Sequence, residues 1–170
     1  MLLKSVFIGF LSFSILHADT LKECKTEADK ISGCVEREYH SNGKIYWETP
    51  YKNGKIEGIE KWYYENGNLM REAPFKNGKK EGIVKWYYKN GNLMVEMSYL
   101  NDLFHGDMRF YTEDGKLLAL VKAENGRITS GKCYNNKSPT NKDLEEIGRF
   151  YSAGKGINYL QKICLKSDSK

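Results

Sequence analysis

Aromatic, apolar and turn-forming residues recur along this chain with a period of 24 residues. Two rows of the pattern are largely aromatic, a third is aliphatic, and the turn signals form a fourth. The rows are Tyr39, Tyr63, Tyr87 and Tyr111; Trp62, Trp86, Phe110 and Tyr134; Ile45, Leu69, Leu93 and Leu117; and Asn42-Gly43, Asn66-Gly67, Asn90-Gly91 and Asp114-Gly115. Self-similarity at a fixed period of this length is the signature of a repeat architecture.

Each unit predicts a β-hairpin. Lys61–Glu65 and Leu69–Phe75 have the composition of strands. Asn66-Gly67 between them predicts a two-residue type I′ turn, which requires positive φ at both positions. The longer connection that begins at Asn77 leads into the next unit, and we expect Gly82 to permit a close backbone approach that a Cβ would block.

The repeat therefore predicts an all-β fold: an elongated, single antiparallel β-meander of four 24-residue hairpin units. With two strands per unit, equivalent residues lie about 9.6 Å apart, and four units span about 38 Å. After Tyr134 the pattern stops. A capping-box-like start at Thr140 and apolar residues at helical spacing predict a short helical cap from Asn141 to Ser152. Residues Ile157–Cys164 fit either a strand or a further helical turn.

Four cysteines lie outside the N-terminal apolar segment: Cys24, Cys34, Cys133 and Cys164. Four cysteines allow three pairings. Because a disulfide needs Cα atoms within about 7 Å, a bond from one end of such a sheet to the other is excluded. We therefore predict Cys24–Cys34 and Cys133–Cys164, with one bond closing each end of the array. A metal site formed by these cysteines is disfavoured, because the gap between Cys24 and Cys34 is wider than a ligand cluster needs.

The first 18 residues predict a secretory signal peptide. Lys4 supplies the positive charge, Val6–Leu16 is apolar, and Leu16-His17-Ala18 is an acceptable cleavage site. The apolar run is too short for a membrane-spanning helix, which needs about 20 residues. We expect an exported, periplasmic or secreted protein that is cleaved near Ala18; retention of the segment as an anchor is the alternative. Export agrees with the even number of cysteines.

Composition narrows the function classes further. The net charge of +5 is spread along a chain that is 29% charged, with no groove-reading motif, so no nucleic-acid partner is expected. No catalytic or phosphate-binding motif is present, and the repeated carboxylates Glu48, Glu72 and Glu96 predict a solvated row, because a repeat gives each of them the same environment. We predict no enzyme activity, no cofactor and no metal.

The aromatic rows are the candidate binding face. Side chains alternate along a strand, so Trp62, Trp86 and Phe110 are predicted on one face and Tyr63, Tyr87 and Tyr111 on the other. Most of these rings are expected to form the core of a thin sheet, and a groove for an extended ligand is the alternative. The candidate residues are Trp62, Tyr63, Tyr64, Trp86, Tyr87, Tyr88 and Tyr111.

The units Tyr63–Leu69 and Tyr87–Leu93 resemble MORN repeats, in particular the bacterial variant with a Tyr-Tyr-x-x-Gly core. The resemblance covers about residues 38 to 134. His40 departs from it in the first unit, as do Thr112 and Ala123 in the last. The resemblance implies an elongated β-meander and association with other proteins or with membrane lipids, and it brings no catalytic residue.

These observations divide the chain into a signal peptide (1–18), an N-terminal disulfide-closed cap (19–37), four repeats (38–134) and a C-terminal helical and disulfide-closed cap (135–170). The favoured function is an exported, non-catalytic protein-interaction module. Two alternatives remain open. One is glycan or cell-wall binding through the aromatic rows, and the other is anionic-lipid association through Lys52, Lys76, Lys79 and Lys80.

Overall fold

A computed structural model describes residues 20–149 and 153–165 of the chain, and the predicted signal peptide lies outside them. The strands form one antiparallel sheet in the order β1-β2-β4-β5-β7-β8-β9-β10-β11, with β3 paired to β2 and β6 paired to β5. The elements are α1 Glu27–Ser32, β1 Cys34–Tyr39, β2 Ile45–Lys52, β3 Lys55–Ile56, β4 Gly58–Tyr63, β5 Leu69–Lys76, β6 Lys79–Lys80, β7 Gly82–Tyr87, β8 Leu93–Leu100, β9 Leu103–Tyr111, β10 Leu117–Glu124, β11 Arg127–Cys133, α2 Asn141–Arg149 and α3 Ala153–Cys164. The predicted meander is confirmed.

The turn at Asn66-Gly67 differs from the prediction. At Asn66-Gly67 only the glycine has a positive φ, of 91°. The Gly67 N–H bonds to the Tyr64 carbonyl and the Tyr64 N–H to the Asn68 carbonyl, which is a three-residue loop with glycine in the left-handed position. The predicted type I′ turn at this site is therefore wrong. Both central residues have positive φ at the other end of the hairpins instead, as at Asn77 (52°) and Gly78 (82°).

Gly82 follows that second turn, and its predicted role is confirmed. It has φ 117°, and a Cβ placed on it would lie 3.0 Å from Cγ of Pro74 on the neighbouring strand. The glycine therefore permits both a backbone conformation and a close approach that other residues resist.

The strand register places two rows of side chains on opposite faces of the sheet. One row runs through the directly paired residues Trp47, Trp62, Arg71, Trp86, Val95, Phe110, Ala119 and Cys133. The other runs through Arg37, Glu48, Lys61, Glu72, Lys85, Glu96, Arg109, Leu120 and Lys132. We call the face of the first row the helix-bearing face and the face of the second row the ladder face.

The helices cover the two ends of the helix-bearing face. At one end, α1 packs on β1 and β2, and Lys30 lies 4.7 Å from the ring centre of Tyr51. At the other end, α2 packs on β11 and α3 on β8 and β10. The buried core lies under α3, where Ile157 and Leu160 meet Val95, Phe110 and Val121.

The C-terminal prediction is correct for the first helix up to Arg149, and residues 150–152 of the predicted helix lie outside the described residues. The segment left open between strand and helix is helical, because α3 runs to Cys164. Helix α1 was not predicted. Its signal is the capping box formed by Thr26 and Asp29.

Both predicted disulfides are present, Cys24–Cys34 and Cys133–Cys164. One bond lies at each end of the sheet, and Cys133–Cys164 joins the end of β11 to the end of α3. The Cys24 N–H donates to the Val35 carbonyl and the Val35 N–H to the Lys22 carbonyl, so the segment before α1 covers the outer side of β1. At the far end the Cys133 N–H donates to the Lys137 carbonyl. Unpaired sheet edges invite association, and the segment before α1 covers part of the β1 edge.

Candidate binding face

The composition of the helix-bearing face changes halfway along the array. Beneath α3 the row consists of small or aliphatic residues and Phe110, which is 2% exposed. Towards the N-terminal half the same row contains Trp47, Trp62, Arg71 and Trp86, all half-buried. A buried core selects aliphatic residues and an exposed surface tolerates charge and amphipathic rings. The chain therefore has two different surfaces on one face.

We call the uncovered half the open aromatic surface and define it by Tyr46, Trp47, Glu60, Trp62, Arg71 and Trp86. The Trp62 ring lies 5.2 Å from that of Tyr46 and 6.1 Å from that of Trp47, between ring centres. The Arg71 guanidinium lies 5.4 Å from the centre of the Trp86 ring and pairs with Glu60 at 2.5 Å. Aromatic rings and one paired cation thus lie side by side across four strands, β2, β4, β5 and β7.

Small residues form the floor under these long side chains. Ala73 is fully buried, and Val84 and Thr49 are 2% and 4% exposed. The buried indole N–H of Trp62 has no acceptor among the described residues. Buried tryptophans normally find a partner for this group.

The ladder face carries charges of alternating sign. Glu48 accepts a hydrogen bond from the Tyr63 hydroxyl at 2.7 Å and pairs with Arg37 at 3.3 Å and with Lys61 at 3.5 Å. The same arrangement recurs one unit later, where Tyr87 donates to Glu72 at 2.8 Å and Lys85 lies 3.2 Å away.

The predicted solvated carboxylate row is wrong for Glu48, which is 2% exposed. Tyr63 closes over it from the next strand, and two cations compensate its charge. A carboxylate can be buried when it is paired and hydrogen-bonded in this way. The row therefore stabilises the joints between units.

Tyrosine hydroxyls on the ladder face resist ionisation. Burial and the hydrogen bond to Glu72 raise the pKa of Tyr87 above its usual value. Burial and the nearby Glu96 raise the pKa of Tyr111, whose hydroxyl donates to that carboxylate at 3.2 Å. These hydroxyls remain protonated donors at neutral pH.

The second tyrosine of each adjacent pair, Tyr63-Tyr64 and Tyr87-Tyr88, forms a separate series of hydrogen bonds between the tips of successive hairpins. Tyr64 donates to the Tyr87 carbonyl at 2.7 Å, and Tyr88 donates to the Tyr111 carbonyl at 2.8 Å. His40 holds the equivalent place in the first unit, with its Nε2 2.9 Å from the Tyr63 carbonyl oxygen. The departure from the repeat pattern at His40 therefore preserves the bond.

The seven candidate residues lie in three places. Trp62 and Trp86 belong to the open aromatic surface. Tyr63, Tyr87 and Tyr111 lie on the ladder face, with their hydroxyls bound to carboxylates. Tyr64 and Tyr88 join the hairpin tips. Sequence reasoning missed Arg71, Glu60 and Tyr46, although the 24-residue spacing places Arg71 in register with Trp47 and Val95.

Within residues 20–149 and 153–165, no three His, Cys, Asp or Glu residues are grouped so that they could hold a metal ion. In the same ranges, no helix has the length and apolarity required to cross a bilayer.

An open antiparallel sheet of tandem hairpins, closed by a disulfide at each end, defines this molecule as a β-repeat protein. The family model for the MORN repeat variant matches residues 35–53, 56–77, 80–101 and 104–128, together just over half of the chain. The chain belongs to this family, which confirms the predicted resemblance.

Other comparisons add little. A structure described as a glycosylation-associated protein complex from Streptococcus agalactiae is similar over 79% of this chain, with 14% sequence identity and a TM-score of 0.39. The chain spans 24% of that protein's chain, and a similarity at this score carries no argument. No curated protein matches the sequence.

Proposed function

We propose that this protein is an exported, non-catalytic interaction module that binds another protein on the open aromatic surface. The observation that carries the proposal is the change from aliphatic to Trp and Arg residues along one row of the sheet, at the point where the helical cover ends. Tryptophan, tyrosine and arginine are the residues that dominate binding energy at protein interfaces.

Three further features support the proposal. The two disulfides favour an oxidising compartment, in agreement with the N-terminal sequence. The repeated carboxylates Glu48 and Glu72 have matching tyrosine and lysine partners, whereas acid–base catalysis requires carboxylates in unlike environments. The ion pair of Arg71 with Glu60 keeps the guanidinium in place over the Trp86 ring, so the surface is organised before binding.

The test is site-specific photo-crosslinking in the source cells, with a photoreactive phenylalanine analogue at position 62 or at position 83. Ile83 is 45% exposed and its register places it on the ladder face, which makes it the matched control. We expect one protein to be crosslinked from position 62 and not from position 83. Sequencing the N-terminus of the purified protein tests export, with Asp19 as the expected first residue.

The crosslinked protein is then purified and its affinity measured by calorimetry. Trp62→Ala should weaken binding by about 2 kcal/mol, or roughly thirtyfold in Kd, and Ile83→Ala should leave it unchanged. Binding to peptidoglycan or to salt-sensitive anionic vesicles that requires Trp62, without a protein partner, would replace this proposal with one of the two alternatives.

A further inference from the structure

The last hairpin tip of the array differs from the tips of the second and third units at three positions. In the second unit Tyr64, Asn66 and Asn68 each donate a hydrogen bond to a carbonyl of the following unit. The third unit repeats these bonds with Tyr88, Asn90 and Asn92. The equivalent residues of the fourth unit are Thr112, Asp114 and Lys116.

These three replacements bond within their own tip. The Thr112 hydroxyl donates to the Lys116 carbonyl at 3.1 Å and also to the Asp114 carboxylate. Asp114 and Lys116 form an ion pair at 2.7 Å. The three residues that bridge to the next unit in the second and third units are therefore replaced together at the end of the array.

A cavity of about 340 Å³ lies beside this tip. Thr112, Leu117 and Leu118 line one side, Tyr134 and Asn135 the other, and Cys164 contributes from the end of α3. Leu117 is 36% exposed and Tyr134 77% exposed, so the cavity opens to solvent. The volume exceeds the roughly 150 Å³ of an apolar protein cavity that accepts benzene.

The sheet register shows which residues occupy the positions equivalent to this cavity in the earlier units. Leu120 pairs with Lys132 as Glu96 pairs with Arg109, so Tyr134 takes the position that Tyr111 holds one unit earlier. The 24-residue spacing predicted Tyr134 in the row of Phe110, and this is wrong, because Cys133 occupies that row. The carbonyls of Tyr87 and Tyr111 each accept a phenolic O–H, from Tyr64 and Tyr88. At the Tyr134 position the preceding unit supplies Thr112 in place of a tyrosine.

We propose that this cavity is a binding slot for a tyrosine side chain of another protein. The ring lies between the Leu117–Leu118 segment and the Tyr134–Asn135 segment, and its hydroxyl donates to the Tyr134 carbonyl as the internal tyrosines do to theirs. The slot is separate from the open aromatic surface, and its occupation does not depend on the function proposed above.

The first test titrates the disulfide-intact protein with p-cresol, the tyrosine side chain without its backbone, and follows the methyl NMR signals of Leu117, Leu118 and Leu165. We expect saturable shifts at these methyls and nuclear Overhauser contacts from the cresol ring to Leu117. Toluene should bind at the same place about fivefold more weakly, since it lacks one neutral hydrogen bond. No shift at these methyls with p-cresol would overturn the proposal.

Two substitutions test the repeat equivalence. Thr112→Tyr should fill the slot from within the chain, raise the Tm and abolish the cresol shifts, whereas Trp62→Ala should leave them unchanged. Tyr88→Thr should lower the Tm and open a second slot, so that p-cresol raises the Tm of this variant more than that of the parent. Cresol shifts unchanged in a folded Thr112→Tyr variant, or no added effect of cresol on Tyr88→Thr, would contradict the assignment.

The final test asks whether a tyrosine on a protein can enter the slot. A peptide with a central exposed tyrosine and its phenylalanine counterpart replace the two small molecules, and the tyrosine peptide should bind more tightly. Analytical ultracentrifugation of the protein without ligand shows whether it is a monomer or associates with itself. A monomer that binds the peptide supports a different protein as the source, and a dimer that is lost in Thr112→Tyr would overturn that source in favour of a second copy of this chain.

Discussion

Tyr64 and Tyr87 are joined across the boundary between two repeat units, because the Tyr64 hydroxyl donates to the Tyr87 backbone carbonyl at 2.7 Å. The bond fixes the distance between successive hairpin tips independently of the strand ladder. Tyr88 and Tyr111 repeat it at 2.8 Å. The second tyrosine of the Tyr-Tyr pair is therefore a connecting residue between units.

Tyr64→Phe and Tyr88→Phe should each lower the free energy of unfolding by about 1 kcal/mol, because each removes one neutral hydrogen bond and keeps the ring. Urea denaturation followed by circular dichroism measures the change. Tyr39→Phe is the matched control, since Tyr39 is 54% exposed and its hydroxyl lies 3.4 Å from Glu23 at the surface. Equal losses in all three variants would contradict a connecting role.

The disulfides should differ in their contribution to stability. Cys133–Cys164 closes a loop with a sequence separation of 31, and Cys24–Cys34 one with a separation of 10. The chain-entropy model gives about 4 kcal/mol for the first and about 3 kcal/mol for the second. Unfolding of the two double Cys→Ser variants measures both values. A larger loss of unfolding free energy in the variant that lacks Cys24–Cys34 would show that the cover over β1 contributes more to stability than the chain-entropy term.

Stability should decline in alkaline solution. Burial and Glu72 raise the pKa of Tyr87, so the folded state holds this proton more tightly than the unfolded state. The contribution is therefore fully present below about pH 10, where an unfolded tyrosine ionises, and is lost as the pH rises further. Urea unfolding between pH 8 and pH 11.5 should show the decline, and Tyr87→Phe should make it shallower, with the remainder due to other tyrosines of raised pKa such as Tyr111. An identical pH profile for this variant would refute the assignment to Tyr87.

The repeat pattern predicted much of the fold because the 24-residue period determines both how far apart equivalent strands lie and which face of the sheet each side chain occupies. Once Trp62 and Tyr63 are adjacent in a strand, their opposite faces follow. The turn type did not follow, since an Asn-Gly pair suits both a type I′ turn and a loop that needs only glycine at positive φ. The burial of Glu48 depends on Tyr63 from the next strand, a contact that strand alternation alone does not specify.

The candidate site was only partly predictable for a similar reason. The aromatic rows are visible in the sequence, but which part of them remains open depends on where α1 and α3 pack. Helix α1 has only six residues, too few for a helical hydrophobic pattern to emerge. Arg71 was missed because a single arginine in a strand has no distinctive signal until the register places it between Trp62 and Trp86.

Gly82→Ala should destabilise the protein more than Gly91→Ala. Both glycines have positive φ, 117° and 90°, so each alanine variant incurs a backbone penalty of about 1–2 kcal/mol. A Cβ on Gly82 would also lie 3.0 Å from Pro74 Cγ, whereas one on Gly91 has no heavy atom within 4 Å. The difference between the two free energies of unfolding therefore isolates the close approach of adjacent strands. Equal losses would mean that Pro74 moves aside without cost and that backbone conformation alone requires glycine at position 82.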